Sequence, residues 1–213
     1  MAHRRKSDHF ARRAKREGYA ARSVFKLEEI DRKYTLLRPG QRVVDLGCAP
    51  GSWLKFIAQK VGAKGRVVGI DRVRVDVGGH NIHTLVGDVF DTSDHVFFDA
   101  AGGLFDVVTS DMAPDTCGNR FTDHVRSIEL CRRAAGVAET LLRRGGHFVC
   151  KVFEGPDLAD FVMELRGQYQ QVKRYKPKAT RSESVELFVI ARTKKHEATI
   201  TVDGSETAGG TGR

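Results

Sequence analysis

The sequence predicts an α/β fold in which a mostly parallel β-sheet carries helices on both faces. Short apolar segments rich in β-branched residues alternate along the chain with longer segments of helical periodicity, and this alternation is typical of parallel sheets. The last two strand-like segments follow each other without a helix between them, so we expect an antiparallel edge strand. The length of 213 residues suits one domain with short tails.

Seven segments are predicted to be strands, which gives a seven-stranded sheet. The first five are short and mostly apolar, as expected for buried strands. They cover residues 42–46, 66–71, 82–86, 105–110 and 147–153. The final pair covers residues 171–175 and 185–191 and is joined by a loop.

Three segments have the spacing of helices and cover residues 53–61, 123–142 and 157–168. In the second segment, apolar residues form a wide stripe from position 125 to position 142. We expect Gly145 and Gly146 to end that helix before the next strand. Phe97 and Phe98 are predicted to belong to the core.

Basic residues are concentrated in two parts of the chain. Residues 1–22 contain eight Lys or Arg and two acidic residues, so this segment holds six of the nine net positive charges. We interpret it as a basic N-terminal arm that contacts nucleic-acid phosphates, with a solvated disordered tail as the alternative. The second cluster lies in the predicted loop between the last two strands and consists of Lys173, Arg174, Lys176, Lys178 and Arg181.

The two ends of the chain define the expected boundaries. The basic arm covers residues 1–22, the folded domain residues 23–195, and a Gly/Thr/Ala-rich tail predicted to be disordered residues 196–213. The N-terminus lacks the apolar segment of a signal peptide, and no apolar run is long enough to span a bilayer. We therefore expect a cytoplasmic protein that binds no membrane, and we expect it to be a monomer.

The cysteines and histidines do not indicate a metal site. The four cysteines form no CxxC pair, and the histidines have no spacing typical of metal ligands. Scattered cysteines of this kind are typical of reduced thiols in a cytosolic protein. We assign no residue to metal binding.

A glycine-rich turn follows the first predicted strand and marks a candidate cofactor site. The turn reads DLGCAPGSW over residues 45–53, and its small residues allow a ligand to approach the backbone closely. Acidic residues stand at the ends of the next three strands: Asp71, Asp88 and Asp111. In an open α/β sheet, ligands bind beyond the carboxyl ends of the strands, so these carboxylates are expected to face one crevice.

The turn does not match a dinucleotide-binding fingerprint. The GxGxxG pattern is absent because alanine and proline occupy positions 49 and 50, and Pro50 removes an N–H that could bind a pyrophosphate. A nicotinamide-dependent oxidoreductase is therefore the less favoured alternative. A ligand without phosphates, such as S-adenosylmethionine, fits the turn better, with Asp71 accepting hydrogen bonds from ribose hydroxyls and Asp88 holding the adenine amino group.

The chain resembles the FtsJ/RrmJ family of RNA ribose 2′-O-methyltransferases. Five segments carry the resemblance: 22–31 (RSVFKLEEID), 43–53 (VVDLGCAPGSW), 107–114 (VVTSDMAP), 145–155 (GGHFVCKVFEG) and 176–189 (KPKATRSESVELFV). SDMAP followed by KVF is the most specific of these signals. The resemblance implies that residues 23–195 form a Rossmann-like class I S-adenosylmethionine-dependent methyltransferase domain.

Family members carry a Lys-Asp-Lys-Glu tetrad in the catalytic cleft. The matching residues here are Lys26, Asp111, Lys151 and Glu186, so all four catalytic groups are present. The family's cofactor contacts correspond to Gly51, Trp53, Asp71, Asp88 and Asp111, and we add Asp45 and Gly47 at the start of the glycine-rich turn. The chain departs from the family pattern at Cys48, where bacterial members usually have alanine, and at Ser52, where glycine is common. Neither departure removes a catalytic group.

The resemblance implies an in-line displacement at a sulfonium methyl by a ribose 2′-hydroxyl. Our hypothesis is that Lys151 is the general base, that Lys26 and Glu186 orient the ribose, and that Asp111 holds Lys151. A free lysine has a pKa of about 10.4 and is normally protonated, so a second interpretation makes Lys151 an electrostatic stabiliser of the developing alkoxide. The residues alone leave both interpretations open.

The family resemblance also implies a substrate. The bacterial stand-alone enzyme of the family methylates a uridine of 23S (large-subunit) ribosomal RNA, and the near absence of extra domains makes this chain look like that enzyme. The alternatives are a transfer-RNA 2′-O-methyltransferase of the same family and a non-enzymatic RNA-binding factor of ribosome assembly. The intact tetrad argues against the non-enzymatic alternative.

Overall fold

A single seven-stranded sheet organises the computed structural model, which describes residues 2–181 and 183–198. The strands are β1 Arg42–Leu46, β2 Arg66–Asp71, β3 Ile82–Val86, β4 Phe105–Ser110, β5 Leu142–Phe153, β6 Tyr169–Tyr175 and β7 Glu186–Lys194. Their order across the sheet is β3-β2-β1-β4-β5-β7-β6. The chain changes direction of winding between β1 and β4, and the carboxyl ends of these two strands therefore border the crevice where α/β sheets bind ligands.

The strand directions agree with the sequence prediction. The strands from β3 to β5 are all parallel, and β7 is antiparallel to both of its neighbours. The predicted mixed α/β class with its antiparallel pairing is thus confirmed. The reversed strand is β7, which lies between β5 and β6, so β6 is the edge strand.

Six helices in the described residues cover the two faces of the sheet. They are α1 Ala2–Arg16, α2 Val24–Tyr34, α3 Ser52–Val61, α4 Asp94–Ala101, α5 Arg120–Leu141 and α6 Leu158–Gln168. One apolar cluster joins the sheet to α4, α5 and α6, and a second joins its other face to α2 and α3. The second cluster includes Phe10 and Ala14 of α1. None of the helices within the described residues is long and apolar enough to cross a membrane.

The end of α5 differs from its prediction. The helix ends at Leu141, and β5 begins at the next residue and contains both Gly145 and Gly146. A lysine that is distant in the sequence supplies hydrogen bonds to the carbonyl groups at the end of the helix. Buried Lys194 donates through its Nζ to the carbonyl oxygens of Ala138, Glu139 and Leu142. The prediction that Gly145 and Gly146 end the helix was wrong, because the end of α5 depends on a side chain that is distant in the sequence.

Three helices were not predicted. Helix α4 is only eight residues long and is capped at its N-terminus by Ser93, whose hydroxyl accepts a hydrogen bond from the backbone N–H of His95. It contributes Phe97 to the core, and Phe98 packs partly buried against the same cluster, as predicted. Helix α2 carries the FKL segment, and α1 forms most of the basic arm. In the second basic cluster, Lys173 and Arg174 belong to strand β6 rather than to the loop.

The predicted disordered tail covers residues 196–213, and residues 199–213 of this tail lie outside the described residues.

Candidate active site

The glycine-rich turn is fastened to the end of β2. The backbone N–H groups of Gly47 and Cys48 donate to the Ile70 carbonyl oxygen at 2.9 and 3.1 Å, and the Ala49 N–H donates to Asp71 Oδ2 at 2.9 Å. Gly47 has a φ of +76°, and a Cβ at this position would lie 2.5 Å from Met112 Cγ. Only glycine therefore allows the turn after β1 to pass so close to the segment after β4.

A cavity of about 630 Å³ opens at the carboxyl ends of the central strands. This volume lies within the roughly 300–1,000 Å³ of typical small-molecule sites. Four of the predicted cofactor-binding residues line it: Gly47, Asp71, Asp88 and Asp111. The strand-end carboxylates are thus brought together at one edge of the sheet.

The three strand-end acids have different hydrogen-bonding states. Asp71 accepts backbone hydrogen bonds from Ala49 and from Val73, and Asp88 accepts one from Phe90. Asp111 Oδ1 is buried, and Lys151 Nζ lies 3.0 Å from it. A carboxylate oxygen can accept more than one hydrogen bond, so Asp111 can also bind a donor group of a ligand in the cavity that it lines.

Three predicted cofactor-binding residues do not line the cavity. Two of them, Gly51 and Trp53, make packing contacts around the glycine-rich turn and helix α3 instead. A Cβ on Gly51, whose φ is +96°, would collide with Val77 and Val75, so this glycine serves the packing of the 75–77 segment on the turn. Trp53 is buried, stacks on Phe188 with ring centroids 5.9 Å apart, and donates through Nε1 to the Ser23 carbonyl oxygen at 3.0 Å.

Asp45 is the third residue that lies away from the cavity. It is fully buried, and its Oδ1 accepts a hydrogen bond from the Thr109 hydroxyl at 2.8 Å. Burial, reinforced by the charges of Asp111 and Asp71, raises the pKa of the Asp45 carboxyl to about 8, and the Thr109 hydrogen bond offsets this only in part. A carboxyl with this pKa favours the neutral form at pH 7. Asp45 lies outside the lining of the cavity, and its contact with the cofactor stays a prediction.

Lys151 and Asp111 form the first ion pair of the tetrad. Lys151 lies near the carboxyl end of β5 and is 8% exposed. Its Nζ is 3.0 Å from Asp111 Oδ1 and donates a hydrogen bond of 2.5 Å to the Asp111 carbonyl oxygen. The two contacts hold the amine at the edge of the cavity that Asp111 lines.

Lys26 and Glu186 form the second ion pair. Lys26 Nζ lies 2.5 Å from Glu186 Oε1, and both side chains are mostly buried. Glu186 begins β7 and pairs with Phe153 of β5. Lys151 precedes Phe153 by two residues, so Lys151 and Glu186 are diagonal neighbours on one face of the sheet, with Cα atoms roughly 7–8 Å apart. The tetrad residues are therefore brought together from α2, β5, β7 and the end of β4.

The last two residues of the glycine-rich turn, Ser52 and Trp53, position the start of α2. The Ala21 N–H donates to the Ser52 hydroxyl at 2.7 Å, and Trp53 binds the Ser23 carbonyl oxygen. Lys26 lies one turn into the same helix. Ser52 and Trp53 consequently connect the cofactor side of the site to the helix that carries Lys26.

Sequence reasoning missed the contribution of α5 to the cavity. Arg126, Glu129 and Leu130 line it, together with Met112 and Phe90. A helix that follows β4 must begin near the carboxyl edge of the sheet, and this signal could have assigned its first turns to the site. The same helix supports β5, because Ser127 Oγ accepts a hydrogen bond from the Phe153 N–H.

His124 on α5 fastens the turn after β5. Its Nδ1 lies 2.9 Å from the Phe153 carbonyl oxygen, and its Nε2 lies 3.1 Å from both the Asp157 N–H nitrogen and Asp157 Oδ2. A Cβ on Gly155 would collide with the His124 ring. The buried histidine thus holds the segment that immediately follows Lys151 and Phe153.

Comparisons with known proteins agree with this arrangement. A family model described as FtsJ-like methyltransferase matches residues 19–194. A protein of Desulfatibacillum aliphaticivorans named ribosomal RNA large subunit methyltransferase E is 44% identical over 88% of this chain and 91% of its own length. One of the same name from Desulfosudis oleivorans is 46% identical over 90% and 93%.

A solved structure adds a fold comparison. A Plasmodium falciparum chain described as a ribosomal RNA methyltransferase superposes with a TM-score of 0.74 at 26% identity, covering 83% of this chain and 98% of that one. The family model matches nearly the whole described domain. The chain belongs to the FtsJ-like methyltransferase family.

Proposed function

We propose that the protein transfers a methyl group from S-adenosylmethionine to a ribose 2′-hydroxyl of large-subunit ribosomal RNA. The observation that carries this proposal is the pairing of Lys151 with Asp111 and of Lys26 with Glu186 beside a cavity at the carboxyl edge of the sheet. Cations and carboxylates in a partly buried cleft suit proton transfer and alignment of a weakly acidic hydroxyl. The cavity beside them supplies room for a methyl donor.

The residues of the cavity fit S-adenosylmethionine. The Asp111 carboxylate lines the cavity and can accept a hydrogen bond from the methyl donor, Asp71 is placed to bind ribose hydroxyls, and Asp88 can accept from an amino group. When bound, the cofactor would supply an activated methyl group on a sulfonium.

Lys151 is the general base in this proposal. The Lys151 nitrogen has three tetrahedral directions beyond its bond to Cε; one N–H donates to the Asp111 carbonyl oxygen, and Asp111 Oδ1 lies 3.0 Å from the nitrogen. In a neutral amine these oxygens engage two N–H bonds and leave the lone pair for the ribose hydroxyl. The lone pair takes the hydroxyl proton as the oxygen attacks, and Asp111 then stabilises the resulting ammonium.

Lys26 and Glu186 orient the acceptor ribose. The short ion pair fixes both side chains, and Lys26 retains N–H donors that can bind the ribose oxygens. Because Glu186 pairs in register with the segment just beyond Lys151, the two groups face the same side of the sheet. The hydroxyl would thereby be held close to the base.

Basic surfaces near the tetrad are proposed to bind the RNA backbone. Helix α1 packs on α2 through Phe10 and Ala14, and the Arg13 guanidinium lies 4.1 Å from the Phe25 ring centroid. The basic residues of the arm are thus attached to the helix that carries Lys26. Contacts with phosphates release counterions, so we expect binding of RNA to weaken as salt increases.

The names of the relatives support ribosomal RNA as the substrate class. Proteins at 44% and 46% identity are named ribosomal RNA large subunit methyltransferase E. We infer a uridine of 23S ribosomal RNA as the target. We further propose that the protein acts in the cytoplasm as a monomer.

The proposal is tested by incubating the protein with radiolabelled S-adenosylmethionine and large ribosomal subunits, isolated 23S ribosomal RNA or transfer RNA, and mapping 2′-O-methyl sites. Transfer to transfer RNA alone would redirect the proposal to that substrate. Binding of ribosomal RNA without transfer would favour the assembly-factor alternative.

Variants separate catalysis from binding. Lys151→Ala is expected to lose methyl transfer and to keep its affinity for S-adenosylmethionine in calorimetry, whereas Lys64→Ala, on an exposed loop, serves as the control. In the unaltered protein, the rate at saturating substrate should fall towards acidic pH, because an ammonium has no lone pair. A rate that does not change with pH would contradict the role of Lys151 as a base and favour its role as an electrostatic stabiliser.

A further inference from the structure

The second half of α2 contacts the last residue of β6, Tyr175, through three side chains. The Tyr175 hydroxyl donates to Glu29 Oε1 at 2.6 Å. Lys33 Nζ lies 4.1 Å from the centroid of the Tyr175 ring, and the Tyr34 ring meets it edge-on with centroids 5.8 Å apart. We call the hydrogen-bonded pair of Glu29 and Tyr175 the Tyr175 clamp.

Glu29 also binds the loop that leads from β6 to β7. Its Oε2 accepts a hydrogen bond from the Lys178 backbone N–H at 2.8 Å. At the start of the same loop, Lys176 Nζ donates to the carbonyl oxygen of Ser184 at the loop's other end, at 2.6 Å. The Ser184 hydroxyl in turn accepts a hydrogen bond from the Glu186 N–H at 3.2 Å. These contacts connect Glu29 to the segment that ends at Glu186.

The clamp joins the same two elements as the second ion pair. Glu29 follows Lys26 by three residues, so both side chains lie on one face of α2. Tyr175 pairs in register with Phe188, two residues beyond Glu186. The clamp therefore lies about one helical turn from the ion pair and spans the same gap between α2 and the β6–β7 segment.

We propose that Glu29 and Tyr175 are positioning residues for methyl transfer, holding Lys26 against Glu186. This inference rests on the proposed function. The start of α2 is fastened by Trp53 through Ser23, and the clamp fastens its other half. Without the clamp, α2 would keep its apolar packing and the Asp31–Lys60 ion pair with α3, but its second half would lose its hydrogen bonds to the β6–β7 segment. Small displacements of positioning groups cost up to roughly 100-fold in rate.

The Tyr175 phenol keeps its proton in the pH range of ordinary assays. Burial, together with the hydrogen bond to Glu29, raises the pKa of the Tyr175 phenol to about 12. The phenol therefore remains a hydrogen-bond donor well above neutral pH, and a change of rate between pH 6 and 9 does not come from its ionisation.

The first test compares Tyr175→Phe and Glu29→Gln with Tyr34→Phe. The Tyr175→Phe change removes one hydroxyl and keeps the ring contacts, and Tyr34→Phe removes a hydroxyl of the same cluster that bonds to no described residue. We expect kcat to fall about tenfold in the first two variants and to remain unchanged in Tyr34→Phe. KM for S-adenosylmethionine should change less than about twofold, because the clamp does not line the cavity.

A second comparison distinguishes positioning from general support of the fold. In a Lys26→Met background, the Tyr175→Phe change should lower the single-turnover rate by less than about twofold, since the side chain it positions is gone. An equal loss of rate in both backgrounds would refute the assignment. Unchanged kcat in Tyr175→Phe and Glu29→Gln would refute it as well.

Hydrogen exchange provides a readout that does not depend on activity. Peptides covering residues 24–34 and 176–181 should exchange faster in Tyr175→Phe and Glu29→Gln than in the unaltered protein or in Tyr34→Phe. Unchanged exchange would refute the contacts assigned to the clamp. Faster exchange in the clamp variants of a protein that methylates no RNA would support the contacts of the clamp. The proposed function would then fail, and the positioning role of Glu29 and Tyr175 in methyl transfer would fail with it.

Discussion

The Asp45→Asn variant tests the neutral state of the acid beneath the glycine-rich turn. Asp45 is completely buried, and its pKa is raised to about 8, chiefly by burial. In the unfolded chain an aspartate has a pKa of about 3.9. Between these two values the folded protein keeps a proton that the unfolded chain releases. Its free energy of unfolding must therefore decrease as pH rises from about 4 to about 8.

The size of the effect follows from the linkage relation. Each pH unit in this window costs about 1.4 kcal/mol, so the unaltered protein loses about 3 kcal/mol between pH 5 and pH 7 from this group. An asparagine cannot titrate. The stability of Asp45→Asn relative to the unaltered protein should consequently rise by about the same amount over that range.

Urea unfolding followed by tryptophan fluorescence measures this difference. The chain has one tryptophan, and Trp53 is buried, so its emission reports loss of the fold. Asp31→Asn is the matched control, because Asp31 is also buried but accepts two backbone hydrogen bonds and pairs with Lys60. We expect this control to lower stability by about 1–3 kcal/mol at pH 7. A stability difference for Asp45→Asn that stays constant from pH 5 to pH 7 would show that the carboxyl is charged in the fold and refute the reasoning.

Three further predictions concern the supports of the site. Lys194→Met should lower the free energy of unfolding by about 2–4 kcal/mol in urea titrations, because three carbonyl groups at the end of α5 lose their donor. Gly155→Ala should destabilise the protein by about 1–3 kcal/mol through its collision with His124. In a His124→Ala background, Gly155→Ala should lower the free energy of unfolding clearly less. An equal loss in both backgrounds would contradict the contact between Gly155 and His124. Trp53→Phe should leave calorimetric affinity for S-adenosylmethionine intact and lower kcat, since it loses the hydrogen bond to Ser23 and part of the stacking on Phe188; a loss of affinity alone would restore Trp53 to the cofactor site.

The strands and the strand-end acids could be predicted because local signals determine them. Buried parallel strands need apolar β-branched residues, and their carboxyl ends must meet at one edge of the sheet. For this reason Gly47, Asp71, Asp88 and Asp111 were expected at one crevice, and all four line the cavity. Helix α4 was missed because its eight residues are too few for a clear periodicity.

Contacts between distant segments could not be predicted in the same way. The stop of α5 depends on Lys194, more than fifty residues away, and no local pattern indicates it. The family resemblance implied a cofactor contact for Trp53, and in the structure its indole faces Ser23 and Phe188. Sequence position assigns a residue to a turn, but the direction of its side chain depends on the elements that pack around it.

The two halves of the site differ in how they are held, and this difference has a functional consequence. The cofactor half lies on β1, β2 and β4, which are central strands with buried neighbours on both faces. The acceptor half depends on α2 and on the β6–β7 segment, which meet through the Lys26–Glu186 pair and the Tyr175 clamp. Elements joined by a few polar contacts open at lower free energy than a core of packed strands. Loosening the fold should therefore impair methyl transfer before it impairs binding of the methyl donor, so variants that bind the cofactor but do not methylate are expected to cluster in α2 and the β6–β7 segment.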